Sequence, residues 1–264
     1  AGGVSVGALF VAGILPGILL GLALMIYSYI VAKKNDYSVG EKFDIKVFGK
    51  AFLDALWGLF SIVIVVIGVT TGFITATESA ALACVWSFIV SVFIYKEMTV
   101  KDMFEVTKNS ARTVAMIILL IATSNAFGWL LAYLKVPALV SSSIYGLSKN
   151  PYIILLMINI LLLALGTLMD MSPIILIATP ILLPIAKSIG VDPVQFGTLL
   201  ILNLGVGLLT PPVGATLFLG SAISGIKLEK LAVSMKDVYL IMAIVLMMVT
   251  FIPQISLFLP SFVN

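Results

Sequence analysis

The chain contains no histidine, a single cysteine and few charged residues among its 264 positions. The absence of histidine removes the commonest general base and the commonest metal ligand of proteins. Because Cys84 is the only cysteine, an intrachain disulfide is excluded, and we expect this residue to pack in an apolar segment. Charged residues make up 10% of the chain, against about 25% in soluble domains. Such a chain cannot cover a water-facing surface, so we expect lipid around most of it.

Hydrophobic residues make up 61% of the chain and form long runs between short polar segments. A helix needs about 20 apolar residues to cross a bilayer. Runs of that kind occupy residues 9–32, 51–71, 75–95, 113–134, 151–185, 196–226 and 238–259. The sequence therefore predicts an all-α integral membrane protein. Because it opens with apolar residues and no initiator methionine, we expect it to be the later part of a longer polypeptide.

Lysine and arginine concentrate in the segments 33–50, 96–112 and 227–236. Cytoplasmic loops are enriched in these residues, so we place the three segments on the cytoplasmic side. Segment 151–185 then enters from the opposite side and returns to it, which predicts a helical hairpin. The net charge of +3 is small and its basic residues are dispersed among loops, so no nucleic-acid partner is predicted.

Two polar segments carry an apolar face at helical spacing. In 228–235 the apolar residues recur at i, i+3, i+4 and i+7, and 99–104 begins with Thr99 and Asp102 placed to form an N-cap. Helices of this kind lie in the membrane interface. A short connecting helix without a further role fits the same pattern.

Three places at apparent membrane depth carry residues that begin helices, the first of them at 72–81, where Thr75 and Glu78 are placed to cap a helix. In segment 166–176, Ser172 is placed to cap a helix whose first residue is Pro173. In segment 205–218, Thr210 is placed in the same way. Unpaired backbone groups in hydrocarbon cost several kcal/mol each unless they are buried in protein or line a cavity. At such breaks helix N-termini can face an anion and unwound carbonyls can face a cation, which predicts a transport site.

Three acidic residues fall outside the polar loops, and acids at membrane depth are usually functional. We expect a transport role for Asp170, the alternative being a second helix cap. Thr75 and Glu78 match a T-x-x-E capping box, which already accounts for that carboxylate. Asp54 is expected at the membrane interface. Ser124 and Asn125, inside a span, either bind substrate or join helices, and joining helices is the interpretation we favour.

Several motifs resemble the large membrane subunit of tripartite ATP-independent periplasmic (TRAP) transporters. The similarity runs along the whole chain, in the order VGALFVAGILPG (6–17), TATES (75–79), LLALGTLMD (162–170), DMSPIILIATPILLP (170–184), GVDPVQFG (190–197) and NLGVGLLTPPVGATLF (203–218). Ala76 stands where that family usually has proline. The resemblance implies an elevator-type transporter built from two inverted repeats, each with a re-entrant hairpin and a broken helix. This chain resembles the second set only, so half of the transport site would lie elsewhere.

By the same resemblance, the site residues fall into two groups. Those of the hairpin tip are Gly166, Asp170, Met171, Ser172 and Pro173, and those of the broken helix are Gly207, Thr210, Pro211, Pro212 and Gly214. A sodium ion is expected near Asp170, Ser172, Thr210 and Gly207, with Thr75 and Glu78 as further candidates. No cofactor other than this coupling ion is implied.

The resemblance also implies a function and partners. Family members use a sodium gradient, receive organic anions from a periplasmic binding protein, and pair with a small membrane (Q) subunit. We therefore expect sodium symport of a carboxylate, such as sialic acid or a C4-dicarboxylate, across the bacterial inner membrane. Residues 1–148 would be largely scaffold, 149–226 the transport elements, and 227–264 an interfacial helix and the last span.

Other functions stay open. A sodium-coupled carboxylate carrier that works without a binding protein would need the same breaks. An intramembrane enzyme is disfavoured because the chain has no histidine and no evident Ser/Lys pair at membrane depth. A purely structural subunit would not be expected to break its helices there.

Overall fold

The computed structural model describes residues 2–37, 40 and 44–262, and every regular element in these ranges is helical. Part of the predicted basic segment, including Lys42, lies outside the described residues. The α-helices are α1 (Val6–Lys34), α2 (Ile45–Thr70), α3 (Ala76–Ile89), α4 (Val100–Tyr133), α5 (Val136–Leu147), α6 (Pro151–Leu168), α7 (Met171–Ser188), α8 (Pro193–Leu209), α9 (Ala215–Ser224), α10 (Leu228–Ser234), α11 (Lys236–Phe251) and α12 (Pro253–Leu257). A π-helical turn, Val90–Ile94, continues α3, and a 3₁₀ turn, Pro260–Phe262, follows α12.

Local sequence explains where the central helices begin. Asn150 accepts a hydrogen bond from the amide of Tyr152 at 2.9 Å, and Asp192 accepts one from Val194 at 2.7 Å. Each of these caps is followed by a proline at the first helical position, where the missing N–H has no intrahelical role. Both α6 and α8 therefore begin with the same pair of residues, an Asn or Asp N-cap followed by proline.

The core lies where α6, α7 and α8 pack together, with α5 against them. Its largest fully buried side chains on these helices are Ile154, Ile158, Leu162, Leu182, Ile185, Phe196, Leu199 and Leu204. In contrast, α1 to α4 leave large apolar side chains exposed along most of their length. Six helices are long and apolar enough to cross a membrane, or seven if a bent pair counts as one, within the described residues. This pattern confirms the predicted all-α membrane protein.

The helices α6 and α7 form the predicted hairpin. The hydroxyl groups of Tyr145, near the end of α5, and Ser188, at the end of α7, are hydrogen-bonded. Because α5 leads directly into α6, this bond shows that α7 returns to the level at which α6 begins. Each arm has 18 residues, a length of about 27 Å. Each arm alone is thus long enough, by length and composition, to span the hydrocarbon layer.

The two amphipathic segments have different outcomes. The apolar positions of α10 are partly buried while Glu229 and Lys230 are exposed, which confirms the amphipathic face, and α10 bends by 56° into α11. Its location in the membrane interface stays a prediction. Segment 99–104 does not form a separate interfacial helix. It opens α4, a continuous helix of 34 residues, because no glycine or proline interrupts the chain before Gly128. The capping box of Thr99 and Asp102 is confirmed at its start.

The last predicted span, 238–259, is also shorter than expected. Helix α11 ends at Phe251, and Ile252 leaves the helical conformation. The residue before a proline is disfavoured in a helix, and Pro253 follows. The chain continues as the short helix α12.

Candidate functional site

The turn of the hairpin consists of two extended residues between α6 and α7. Met169 is the C-cap of α6, and Asp170 is the N-cap of α7. The Asp170 side chain is exposed and makes no capping hydrogen bond. The prediction that Ser172 caps this helix is wrong, because α7 begins at Met171, two residues before the predicted start at Pro173. Pro173 is consequently the third helical residue, still within the turn where an amide has no intrahelical partner. The alternative role of Asp170 as a side-chain cap is not realised.

The second break separates α8 from α9 at residues 210–214. Thr210 ends α8: its amide donates to the carbonyl of Gly207 at 2.9 Å and its hydroxyl to that of Val206 at 2.8 Å. The predicted role of Thr210 as an N-cap is therefore wrong. The N-cap of α9 is Gly214, which adopts a left-handed conformation with φ +52°. The helix cannot run through this segment, because Pro211 and Pro212, joined by a cis peptide bond, have no N–H to donate.

The hairpin and the break meet backbone to backbone. A Cβ atom built on Gly207 would lie 2.8 Å from both the Cα and the carbonyl carbon of Gly166. Only two glycines allow so close an approach of two helices. One residue further along α6, the carbonyl oxygen of Thr167 accepts the amides of Val213 at 3.2 Å and Gly214 at 3.3 Å. The end of α6 thus satisfies two donors that the break leaves open.

Several carbonyl groups beside this contact accept no hydrogen bond that the structure describes outside the regular helices. They belong to residues 168, 169 and 210–213, whereas the carbonyl of Asp170, as the N-cap, belongs to the first turn of α7. Carbonyl oxygens of unwound backbone are the ligands that transporters offer to sodium. Among the described residues there is no group of three or more Asp, Glu, Cys or His that would hold a metal. The oxygens that this region offers to a cation are those of the backbone and of hydroxyl groups.

The structure brings together only some of the predicted site residues. Gly166 and Gly207 touch, and the amide of Gly214 donates to the carbonyl of Thr167. The side chains of Asp170 and Ser172 are exposed, and no described hydrogen bond joins either of them to Thr210.

Among the candidates outside this region, Thr75 and Glu78 bond to each other. The amide of Thr75 donates to Glu78 Oε2 at 2.8 Å, and the amide of Glu78 donates to Thr75 Oγ1 at 3.2 Å, which confirms the predicted capping box at the start of α3. Ser124 is buried on α4, a helix that packs against α7, whereas Asn125 is exposed. Asp54 is exposed on α2.

Sequence reasoning missed two groups of residues. The first is Thr167 and Val213, whose backbone bond depends on a contact between distant segments. The second is a buried polar cluster that includes Asn159, Asn203 and Thr250. An isolated asparagine in the apolar run of α6 was a signal for this cluster, because an amide in such a run needs a partner on another helix.

The comparison with protein families decides the identity of the chain. Residues 1–255 match the family described as "Tripartite ATP-independent periplasmic transporter, DctM component". The chain belongs to this family. Its members are transporter permeases, not enzymes, and a TRAP permease with six candidate spans is a multi-pass protein of the inner membrane, as the sequence predicts.

Curated relatives of the DctM family cover almost the whole chain. It is 41% identical to the isethionate TRAP transporter permease protein DctMQ of Oleidesulfovibrio alaskensis, over 96% of this chain and 40% of that protein. It is 38% identical to the C4-dicarboxylate TRAP transporter large permease protein DctM of Pseudomonas aeruginosa, over 98% of this chain and 61% of that one. It is 35% identical to the sialic acid TRAP transporter large permease protein SiaM of Vibrio cholerae, over 97% and 60%. The chain therefore spans less than two thirds of the length of these relatives.

Proposed function

We propose that this chain forms part of a permease that imports an organic anion, a carboxylate by preference, together with sodium ions. The observation that carries the proposal is the closure of the α6 end on the 210–214 break, through Gly166, Gly207 and the Thr167 carbonyl. This contact occupies the donors of the break and leaves its carbonyl groups for a cation. Helix breaks between packed helices are the usual construction of secondary-transporter sites.

Sodium would be held by carbonyl oxygens from both sides of the contact. The carbonyls of residues 210–213 accept no described hydrogen bond, and the Thr210 hydroxyl, which donates to Val206, keeps lone pairs for an ion. Asp170 supplies the nearby negative charge from the hairpin turn. No carboxylate cluster is needed for this, which fits the chemistry of the described residues.

The anion would be bound by the helix N-termini that follow the two breaks. Helices α7 and α9 begin at Met171 and Ala215, directly after the turn and the break. Their first amides have no intrahelical acceptors, and the positive ends of their dipoles favour a carboxylate. C4-dicarboxylate, sialic acid and isethionate, named for the three relatives, are all organic anions.

The partners follow from the family. We propose that a periplasmic binding protein delivers the solute and that a small membrane subunit supports the permease. One relative has a single protein name, DctMQ, that joins the letters M and Q of the large and the small subunit. The hairpin, α8 and α9 would move together in an elevator mechanism, with α2 to α4 contributing to the scaffold.

The experiment is uptake of radiolabelled organic acids into proteoliposomes that contain the intact permease with its small subunit. Succinate and sialic acid would be tested with an inward sodium or potassium gradient, with and without the cognate binding protein. We expect uptake of one class of acid only with sodium and only with the binding protein. Equal uptake in potassium would reject sodium coupling, and full uptake without the binding protein would favour the self-sufficient carrier.

A further inference from the structure

A cluster of uncharged polar side chains lies buried between α6, α8 and α11. Asn159 and Asn203 are 0% exposed. The Asn203 side-chain amide donates to the Asn159 carbonyl at 3.0 Å and to Asn159 Oδ1 at 2.7 Å. The Asn159 amide in turn donates to Thr250 Oγ1 at 3.0 Å and to the Leu155 carbonyl at 3.1 Å. Helix α6 is thereby hydrogen-bonded to α8 and to α11.

The bonding of Asn203 is one-sided. Both bonds that its amide group donates end on Asn159, while its own Oδ1 is buried without a described partner. A buried acceptor without a donor is costly. In some proteins a buried amide specifies one register of packed helices at a cost in stability. Apolar packing depends on shape alone, whereas the Asn159–Asn203 pair adds directional hydrogen bonds that a shift of either helix would break.

The register fixed by the amide pair is the one that forms the candidate site. Gly166 lies about 10 Å further along α6 than Asn159, and Gly207 about 6 Å further along α8 than Asn203, from the helical rise. Both helices run from the amide pair towards the glycine contact. A shift of α6 by one residue would take Gly166 off Gly207 and Thr167 away from the amides of the break.

We propose that Asn159 and Asn203 are positioning residues, which hold α6 in the register that places the Thr167 carbonyl on the amides of Val213 and Gly214. They do not touch the ion or the solute. Their importance for transport rests on the proposed function, but their effect on the break can be measured without it.

The measurement is hydrogen–deuterium exchange of the intact transporter, wild type and Asn159→Leu/Asn203→Leu. The double variant removes the pair without leaving one amide unpaired, so a large loss of stability is not expected. Because Pro211 and Pro212 have no amide, a short peptide across the break reports mainly Val213 and Gly214. We expect their exchange to become about tenfold faster, the factor for one lost buried hydrogen bond.

Gln195→Met is the matched control. Gln195 lies on α8 in the same cluster, is 3% exposed, and donates to the Thr250 carbonyl at 3.1 Å, but it has no described bond to α6. We expect this variant to leave exchange at Val213 and Gly214 unchanged. A merely structural role of the cluster would instead raise exchange at the break equally in both variants, and that result would overturn the proposal.

A second variant covers the case in which the double variant does not fold. Asn203→Ser removes the amide with a smaller change of volume, and it too should speed exchange at the break. Unchanged exchange in either folded variant contradicts the positioning role, whatever the transport activity. If exchange responds as expected but wild-type uptake proves independent of sodium, the positioning role stands and the proposed coupling fails.

Discussion

Two interruptions of the helical chain, at the α2–α3 corner and at the α8–α9 break, are satisfied in different ways. At the corner, Thr75 and Glu78 cap α3 with their own side chains, and Gly72, at φ +70°, turns the chain. At the break, the donors of Val213 and Gly214 are satisfied by the carbonyl of another helix. The capping bonds of the corner depend on no other helix. The bonds of the break depend on α6, so they would change if α6 moved, as the proposed transport site requires.

The largest effect on transport is expected from Gly207→Val, which would disrupt the contact between the hairpin and the break. Any Cβ at this position meets the Gly166 backbone at 2.8 Å. Overpacking of this kind costs about 1–3 kcal/mol. The atoms that the new side chain meets belong to the backbone of Gly166, which cannot move aside as a flexible side chain could. We expect uptake to be lost and the unfolding temperature in detergent to fall.

Gly21→Ala in α1 is the control for this variant. A Cβ on Gly21 has nothing within 4 Å, so this change should keep uptake and leave stability equal or slightly higher. If Gly207→Val transported like Gly21→Ala, the glycine contact would have no role in the site.

Asp170→Asn comes next and separates charge from structure. The Asp170 side chain is exposed and makes no capping bond, so we expect unfolding to be unaffected. Sodium-dependent uptake should be abolished, because the proposed ion site loses its nearby negative charge. Asp192→Asn is the matched control, since asparagine caps as well as aspartate does and Asp192 only caps α8. Wild-type uptake by Asp170→Asn rejects the role of this residue.

Thr210→Val should have a moderate effect that sharpens the sodium assignment. The change keeps the shape of the side chain but removes the hydroxyl that donates to Val206. We expect the sodium concentration for half-maximal uptake to rise severalfold, with a small change in the maximal rate, whereas Thr210→Ser should behave as wild type. An unchanged sodium dependence in Thr210→Val would show that the Thr210 hydroxyl does not bind the ion.

The smallest effect on transport is expected at the other interruption. Glu78→Ala removes one half of the capping box, which should lower the unfolding temperature slightly, because the amide of Thr75 loses its acceptor. Glu78→Gln preserves a capping partner and should recover most of that loss. Both variants should retain sodium-dependent uptake. Loss of uptake in the folded Glu78→Gln variant would show that this corner, too, belongs to the transport machinery.

The features that the sequence predicts correctly are local ones. The capping box at Thr75 is a local pattern, and so is the amphipathic face of α10; both are confirmed. The hairpin also followed from apolar runs and loop charges. Ser172 and Thr210 were misassigned because a serine or threonine before proline resembles an N-cap wherever it occurs. Only the fold shows that Thr210 bonds back to its own helix.

Other features depend on contacts that no local pattern reveals. The Gly166–Gly207 approach and the Thr167 bonds join segments that are distant along the chain. The resemblance to a family named both glycines, but it did not supply the reason, which is steric. The partner of Asn159 likewise becomes evident only when α6 and α8 are packed together.

The most direct test of the central claim is equilibrium binding of radioactive sodium to the purified intact transporter, wild type against Gly207→Val and Gly21→Ala. If open carbonyl groups at the closed break hold the ion, wild type and Gly21→Ala should bind sodium saturably, without competition from potassium, and Gly207→Val should lose binding capacity. Equal capacity and affinity in all three proteins would contradict the account.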